Sequence, residues 1–221
     1  MPVLNNREST QRTVQSIGRQ HPFIIFDNGS PPGTLDFAQE LPDCTVLHSP
    51  RNLGVAPAWN ALFDEAFRRG AESAFCTNND VIYLPNSYEA LAEVVEEHPE
   101  AGIISMAELP TDFANFRQAP VCTGYRFSMF LLRRSTWETV GKFDTRFRPI
   151  YWEDTDYVVR LRAAGVQAIQ TLRAAGFHAH FGASRGLYGR VRRAYIMNRN
   201  RWKFILKHGW HTLAPIQRRF F

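Results

Sequence analysis

Short apolar runs alternate with helix-like patterns along the first hundred residues. Phe23-Ile24-Ile25-Phe26, Thr45 to His48, Ser73 to Thr77 and Gly102 to Met106 each read as a buried strand, and Val3-Leu4 reads as the remnant of a first one. Between them lie helical patterns with their own punctuation. Asn6 caps a helix from Arg7 to Ile17 that Gly18 closes, a second runs from about Pro57 to Arg69 before Gly70, and Asn86 or Ser87 opens an acidic one reaching about His98. This order makes four βα-type units and predicts an α/β fold, a mostly parallel sheet flanked by helices. From Asp112 to Gly124 the pattern dissolves, which in a compact domain predicts a functional loop. Beyond it come a strand from Phe127 to Leu132, a short helix from Ser135 to Val140, a helix from Glu153 to Ala164 closed by Gly165, and a long helix from about Gly189 to Lys207. Val191, Tyr195, Trp202 and Ile205 recur there at helical spacing and predict the docking stripe. The expected organisation is one domain over residues 1–184 with a basic helical extension over 185–221 packed on it.

A chain of 221 residues, 44% apolar, has material for one sizeable core. No run approaches the roughly eighteen apolar residues that cross a bilayer, and the start lacks the blocks of a signal peptide. The expected location is therefore the cytoplasm, with a peripheral seat on a membrane left open. Cys44, Cys76 and Cys122 lie far apart with no CxxC pair, so reduced, mostly buried thiols are expected. Charge changes the picture more. Asp156 is the last acidic residue; the 65 residues after it carry 13 Lys or Arg. Such asymmetry points to an anionic partner, nucleic acid or a membrane surface.

In open α/β sheets ligands collect at the carboxyl ends of the strands. Three polar clusters stand there: Asp27-Asn28-Gly29-Ser30, Asn52-Leu53-Gly54 leading to Asn60, and Asn78-Asn79-Asp80. With no GxGxxG after a strand and no GxxxxGK[ST] loop, a dehydrogenase and a P-loop enzyme are both disfavoured. Asp27 also fits an Asx turn closed by Gly29, and Asn78-Asn79-Asp80 also fits a polar turn.

With these residues in place, the chain resembles the GT-A inverting glycosyltransferases of family 2, which include rhamnosyltransferase-like enzymes. PVLNNREST resembles the opening strand and first helix, FDNGS the second strand, NLGVAPAWN the N-x-G…N element, CTNNDV the DxD region, YWEDTDYVVRLRAAG the ED-x-D segment, and HFGAS with NRNRWKFILKHG the closing pattern. The likeness implies a GT-A fold and sugar transfer from a nucleoside diphosphate donor, a UDP-sugar, to an acceptor hydroxyl. It implies that Asp27 holds the nucleoside, that the backbone of Pro2 and Val3 lines the base pocket, and that Asn52, Gly54, Asn60, Asn78 and Asn79 complete the donor site. It implies Asp80 and His180, or alternatively His178, as ligands for Mn2+ or Mg2+; here Asn78 replaces the first DxD aspartate, leaving one carboxylate. A divalent cation bridging phosphates takes hard oxygen donors.

The likeness also makes Asp154 the catalytic base, since inversion by direct displacement needs one carboxylate to take the acceptor proton. Glu153, Asp154 and Asp156 crowd the first turn of their helix, where acidic residues suit the dipole and Asp156 reaches Arg160 at i+4. Tyr151 and Trp152 read either as an aromatic wall for the acceptor or as core. Arg190, Arg192, Arg193, Arg199, Arg201 and Lys203 form the expected acceptor-side basic face. Two acceptors fit it. Hydroxymethylpyrimidine DNA is favoured by small size and by the basic pI; a lipid-linked or envelope glycan at a membrane, with Trp202, Trp210, Phe220 and Phe221 in the interface, is favoured by family habit. A non-catalytic nucleic-acid-binding α/β domain also explains the charge, but leaves the order of the motifs as coincidence.

Overall fold

The computed structural model describes residues 1–18, 21–109, 127–178 and 187–212. Its elements are β1 (Pro2–Val3), α1 (Arg7–Ile17), β2 (Phe23–Asn28), β3 (Cys44–Ser49), α2 (Val55–Arg68), β4 (Ser73–Thr77), β5 (Val81–Tyr83), α3 (Ser87–Glu97), β6 (Ala101–Leu109), β7 (Met129–Arg133), α4 (Arg134–Val140), α5 (Glu153–Ala163), β8 (Gln167–His178) and α6 (Arg190–His208). The alternating order read from the sequence is therefore present. β1, β2 and β3 form a parallel three-stranded sheet, and a second sheet has the order β4-β7-β6-β8-β5. In the second sheet only β6 and β8 run parallel; β4 with β7, β6 with β7 and β5 with β8 are antiparallel. β7 leads straight into α4.

Helix α2 bridges the two sheets, contacting β1, β2 and β4. Its Ala56, Trp59, Leu62, Phe63 and Phe67 recur every three or four residues and fill one core with Phe130, Phe143 and Tyr157. Beneath α2 a cavity of ≈ 800 Å³ separates β2 from β4, lined by Phe23, Ile24, Phe75 and Cys76. Its lining takes in the starts of β2 and β3 and the length of β4 as far as Thr77. Cys76 is buried and its thiol is pushed up to about 11 by that burial, in keeping with an inert core thiol. Cys122 and the Asp112–Gly124 loop lie outside the described residues.

Helix α6 corrects one expectation. The face that docks carries Ile196, Asn200, Phe204 and Ile205, whereas Val191, Tyr195 and Trp202 are exposed. Polar anchors set the rotation: Asn200 donates to the carbonyls of Phe147, Ile150 and Tyr151, and Lys207 and His208 reach the buried Asp156. Satisfying buried polar groups outweighs burying a few exposed apolar side chains.

Candidate active site

The first polar cluster, the expected donor site, assembles where β1, β2 and β3 end. Pro2 pairs with Phe26 and Val3 with Asp27, which sets the Val3 backbone beside that of Asp27 while the Val3 side chain enters the core. Asp27 Oδ1 accepts from the Ser30 amide at 2.8 Å, the expected Asx turn, and Oδ2 faces His48 Nδ1 at 2.9 Å. Asn28 ties this turn to the next loop, accepting from the Leu53 amide and donating to the Gly54 carbonyl. Asn52 closes its own turn on the Gly54 amide at 2.8 Å and points Nδ2 toward the Tyr188 hydroxyl. Gly54 has φ +95°, and a Cβ there would lie 2.8 Å from the Pro149 carbonyl oxygen, so only glycine lets this loop meet the segment leading to Asp154. Asn60 is a correction: it is buried in α2 and both ends of its amide bond the Phe143 backbone at 2.9 Å, a structural clamp in place of the expected donor contact.

The second cluster sits where β4, β6 and β8 end. Asp80 is buried, with Oδ1 3.0 Å from His178 Nε2; Glu108 Oε1 lies 3.4 Å from His178 Nδ1 and Glu108 Oε2 accepts from Ser128. Burial alone would lower the His178 pKa, but the two carboxylates hold it up at about 9. Asn78 Nδ2 lies 3.4 Å from the same imidazole nitrogen. Asn79 turns away, its side chain donating to Thr10 and its carbonyl accepting from Ser9, so it locks the turn onto α1 instead of facing the donor cluster. Segment 5–10 thereby touches both clusters, since the Asn5 amide bonds Ser30. His180 lies outside the described residues.

The donor set suits a hard divalent cation. Asp80 and His178 present one carboxylate oxygen and one imidazole nitrogen 3.0 Å apart, the spacing of adjacent ligands around an ion with bonds of about 2.1 Å. Among the described residues no group of three or more His, Cys, Asp or Glu converges on one point. The reason is visible: Glu108 faces the opposite nitrogen of the ring, where a carboxylate fixes the tautomer and orientation of a ligating histidine. Glu108 escaped the sequence reading although it ends the apolar run from Gly102, the same signal that marked Asp27 and Asp80.

The third group opens α5. Tyr151 and Trp152 both have positive φ, 72° and 77°, unusual for aromatic residues and costly unless the surroundings enforce it. Asn200 of α6 holds the carbonyls of this segment, and Trp152, partly buried, packs on Phe204 with ring centres 5.1 Å apart. Asp154 is half-buried, and its Oδ1 accepts from the Thr155 amide and hydroxyl. Burial raises its pKa and these two hydrogen bonds only partly oppose the rise. Glu153 is buried, one of its carboxylate oxygens has no hydrogen-bond partner, and its pKa is raised well above the ordinary range by burial and by the charge of Asp154. The folded state thus holds the Glu153 proton more tightly than the unfolded chain, so its contribution to stability is present in acid and is lost as pH rises through the folded value. Glu153→Gln should flatten that loss, raising the melting temperature relative to the parent at neutral pH and not in acid; thermal melts across pH check it.

The basic face is divided. Arg190 and Arg192 are exposed. Arg199 donates to the Arg148 carbonyl and Lys203 to that of Arg146, so these two partly exposed cations also tether the loop before α5. Arg193 is partly buried, with Nε unpartnered, and Arg201 is partly exposed.

Comparison with known proteins agrees with this arrangement. The model of the Glycosyl transferase family 2 matches residues 1–172. No curated protein sequence matches the chain. Among solved structures, the mannosyltransferase PcManGT from Pyrobaculum calidifontis, solved with GDP-Man and Mn2+, is 20% identical with a TM-score of 0.62, over 88% of this chain and 57% of that one. S. aureus TarS is 14% identical with a TM-score of 0.67, over 100% and 42%. GalNAc-T7, solved with UDP, GalNAc and Mn2+, is 12% identical with a TM-score of 0.60, over 80% and 42%. This chain thus spans about half the length of these neighbours, which share its fold. A family match across most of the chain, on a GT-A fold whose strand ends carry Asp27 and Asp80, places this protein in glycosyl transferase family 2.

Proposed function

We propose that the protein transfers a sugar from a nucleoside diphosphate donor, a UDP-sugar, to an acceptor hydroxyl with inversion at the anomeric carbon. The observation that carries this reading is the half-buried Asp154 carboxylate, of raised pKa, at the start of a helix whose preceding segment packs on the Asn52–Gly54 loop. A carboxylate whose proton affinity is raised by burial is suited to take a hydroxyl proton. In the proposed step Asp154 accepts that proton, the acceptor oxygen forms its bond to the anomeric carbon, and the bond from that carbon to the diphosphate breaks on the opposite face. Asp27 and the Val3 backbone hold the nucleoside. Asp80 and His178 would hold Mn2+ or Mg2+, whose charge offsets that of the departing diphosphate, with Glu108 fixing the imidazole.

The acceptor is read as borne by an anionic partner; hydroxymethylpyrimidine DNA and a lipid-linked glycan both meet that description. Incubating the full chain with Mn2+ and a panel of sugar nucleotides tests the reading, by release of nucleoside diphosphate and by mass gain on modified DNA or on glycolipid. Stereochemistry of the product distinguishes inversion from retention. Absence of nucleoside diphosphate release with every donor and acceptor would overturn it. Asp80→Ala should weaken donor binding about tenfold or more in Mn2+ and leave it unchanged in EDTA, as isothermal titration reads; equal loss in both would remove Asp80 as a cation ligand.

A further inference from the structure

The outward face of α6 is apolar along its centre. Val191 is 85% exposed, Tyr195 64%, Trp202 56% and Leu206 84%. At 3.6 residues per turn these four fall within one narrow stripe, about 22 Å long. On the same wheel Arg192 and Arg199 lie beside the stripe on one side, Arg199 also holding the Arg148 carbonyl, while Arg190 and Arg201 lie farther round on the other side, past the buried Ile205. Trp210, 59% exposed, stands edge-on to Trp202 with ring centres 5.5 Å apart and extends the stripe past the end of the helix. No acidic residue occurs anywhere after Asp156.

An unburied ridge of this kind, with arginines beside it and farther round the helix and no acidic residue near it in sequence, has one fitting partner. A second copy of the chain would bring like-charged rows face to face. A nucleic acid would use the arginines, but its phosphates gain nothing from Val191 and Leu206, the most exposed apolar residues of the helix. The surface of an anionic bilayer uses both features: aliphatic and aromatic side chains enter the headgroup and acyl boundary while the guanidinium groups stay among the lipid phosphates. No helix among the described residues is long and apolar enough to cross a membrane, so this contact would be parallel to the surface.

We infer that the outer face of α6 docks the protein on an anionic membrane surface. The opposite face of the same helix clamps the loop before Asp154 through Asn200, so docking through α6 would set that loop, and the proposed base that follows it, close to the surface. The inference deepens the reading of an anionic acceptor partner, and its test needs no turnover. The full chain is sedimented with vesicles of phosphatidylcholine alone or mixed with phosphatidylserine, and in parallel with duplex DNA. Binding is expected only to the phosphatidylserine vesicles, weakened by salt. The double variant Val191→Ser/Leu206→Ser, both at highly exposed positions, should lose about tenfold or more in vesicle affinity with an unchanged melting temperature. Arg192→Gln should lose about fivefold. Asp154→Asn should bind vesicles as the parent does, so failure of docking and failure of the transfer reading are separable. A parent chain that stays in solution at low salt, a double variant that binds as well as the parent, tighter retention on DNA that the double variant preserves, or a dimer that the double variant dissociates would each overturn the inference.

Discussion

Asp154→Asn should bind donor with the affinity of the parent and lose transfer by about 10³-fold. The substitution is nearly isosteric and keeps an oxygen to accept from the Thr155 amide and hydroxyl, so the first turn of α5 retains its geometry. What it removes is the capacity to take a proton. Isothermal titration with a sugar nucleotide measures the first quantity and initial rates of nucleoside diphosphate release the second. Equal rates for parent and variant would remove Asp154 from the mechanism; loss of donor binding would make it a donor ligand instead. The parent should also show an acid limb in its rate profile. Because burial holds the Asp154 pKa above its ordinary value, activity should fall as pH drops through a point higher than an exposed aspartate would give. Thr155→Val deletes a hydrogen bond that favours the ionised form, and should move that limb further up.

Asp156→Ala should destabilise the protein by about 3–5 kcal/mol, the usual cost of breaking a buried ion pair from one side. The Asp156 carboxylate is fully buried and meets Arg160 at 2.9 Å, Lys207 at 2.5 Å and His208 at 2.8 Å. Arg160 keeps the carbonyls of Val140 and Lys142, and Lys207 keeps Asp144, but the described contacts leave His208 no other carboxylate. For a chain of this size the melting temperature should drop on the order of 10 °C. The loss falls on the joint between α5 and α6. Limited trypsin digestion should therefore cut first at the arginines of α6, and transfer should fall with it as Asn200 releases the loop before Asp154. An unchanged melting temperature would mean that the charges in this cluster are balanced by solvent and that α6 is held by its apolar contacts alone.

Local chemistry wrote much of this protein plainly. Apolar runs of four or five residues, Asn caps at Asn6 and Asn86 and glycine stops at Gly18, Gly141 and Gly165 place most elements to within a few residues, because each signal acts over one turn or one strand. Polar residues just past those runs brought Asp27 and Asp80 forward, the family likeness added Asp154, and the Asx turn at Asp27 follows from its own tetrapeptide. The ion pair of Asp156 with Arg160 was legible for the same reason, being one helical turn long.

What the sequence could not decide involves partners far apart along the chain. Nothing near Asp80 announces that His178, which the family likeness offered only as an alternative ligand, will meet it, or that Glu108 will meet the far side of that imidazole; both depend on β6 and β8 running parallel with β5 on the far edge. Asn60 resembles a donor ligand by motif and becomes a clamp because Phe143, 83 residues away, arrives at its amide. The rotation of α6 went the same way. Helical spacing alone made Val191, Tyr195 and Trp202 a docking stripe, but Asn200, Lys207 and His208 meet buried carbonyls and a buried carboxylate that exist only once residues 143–157 have folded, and those groups turned the apolar stripe outward. Periodicity determines that a helix has two faces; which of them is buried is fixed by the partners the rest of the chain supplies.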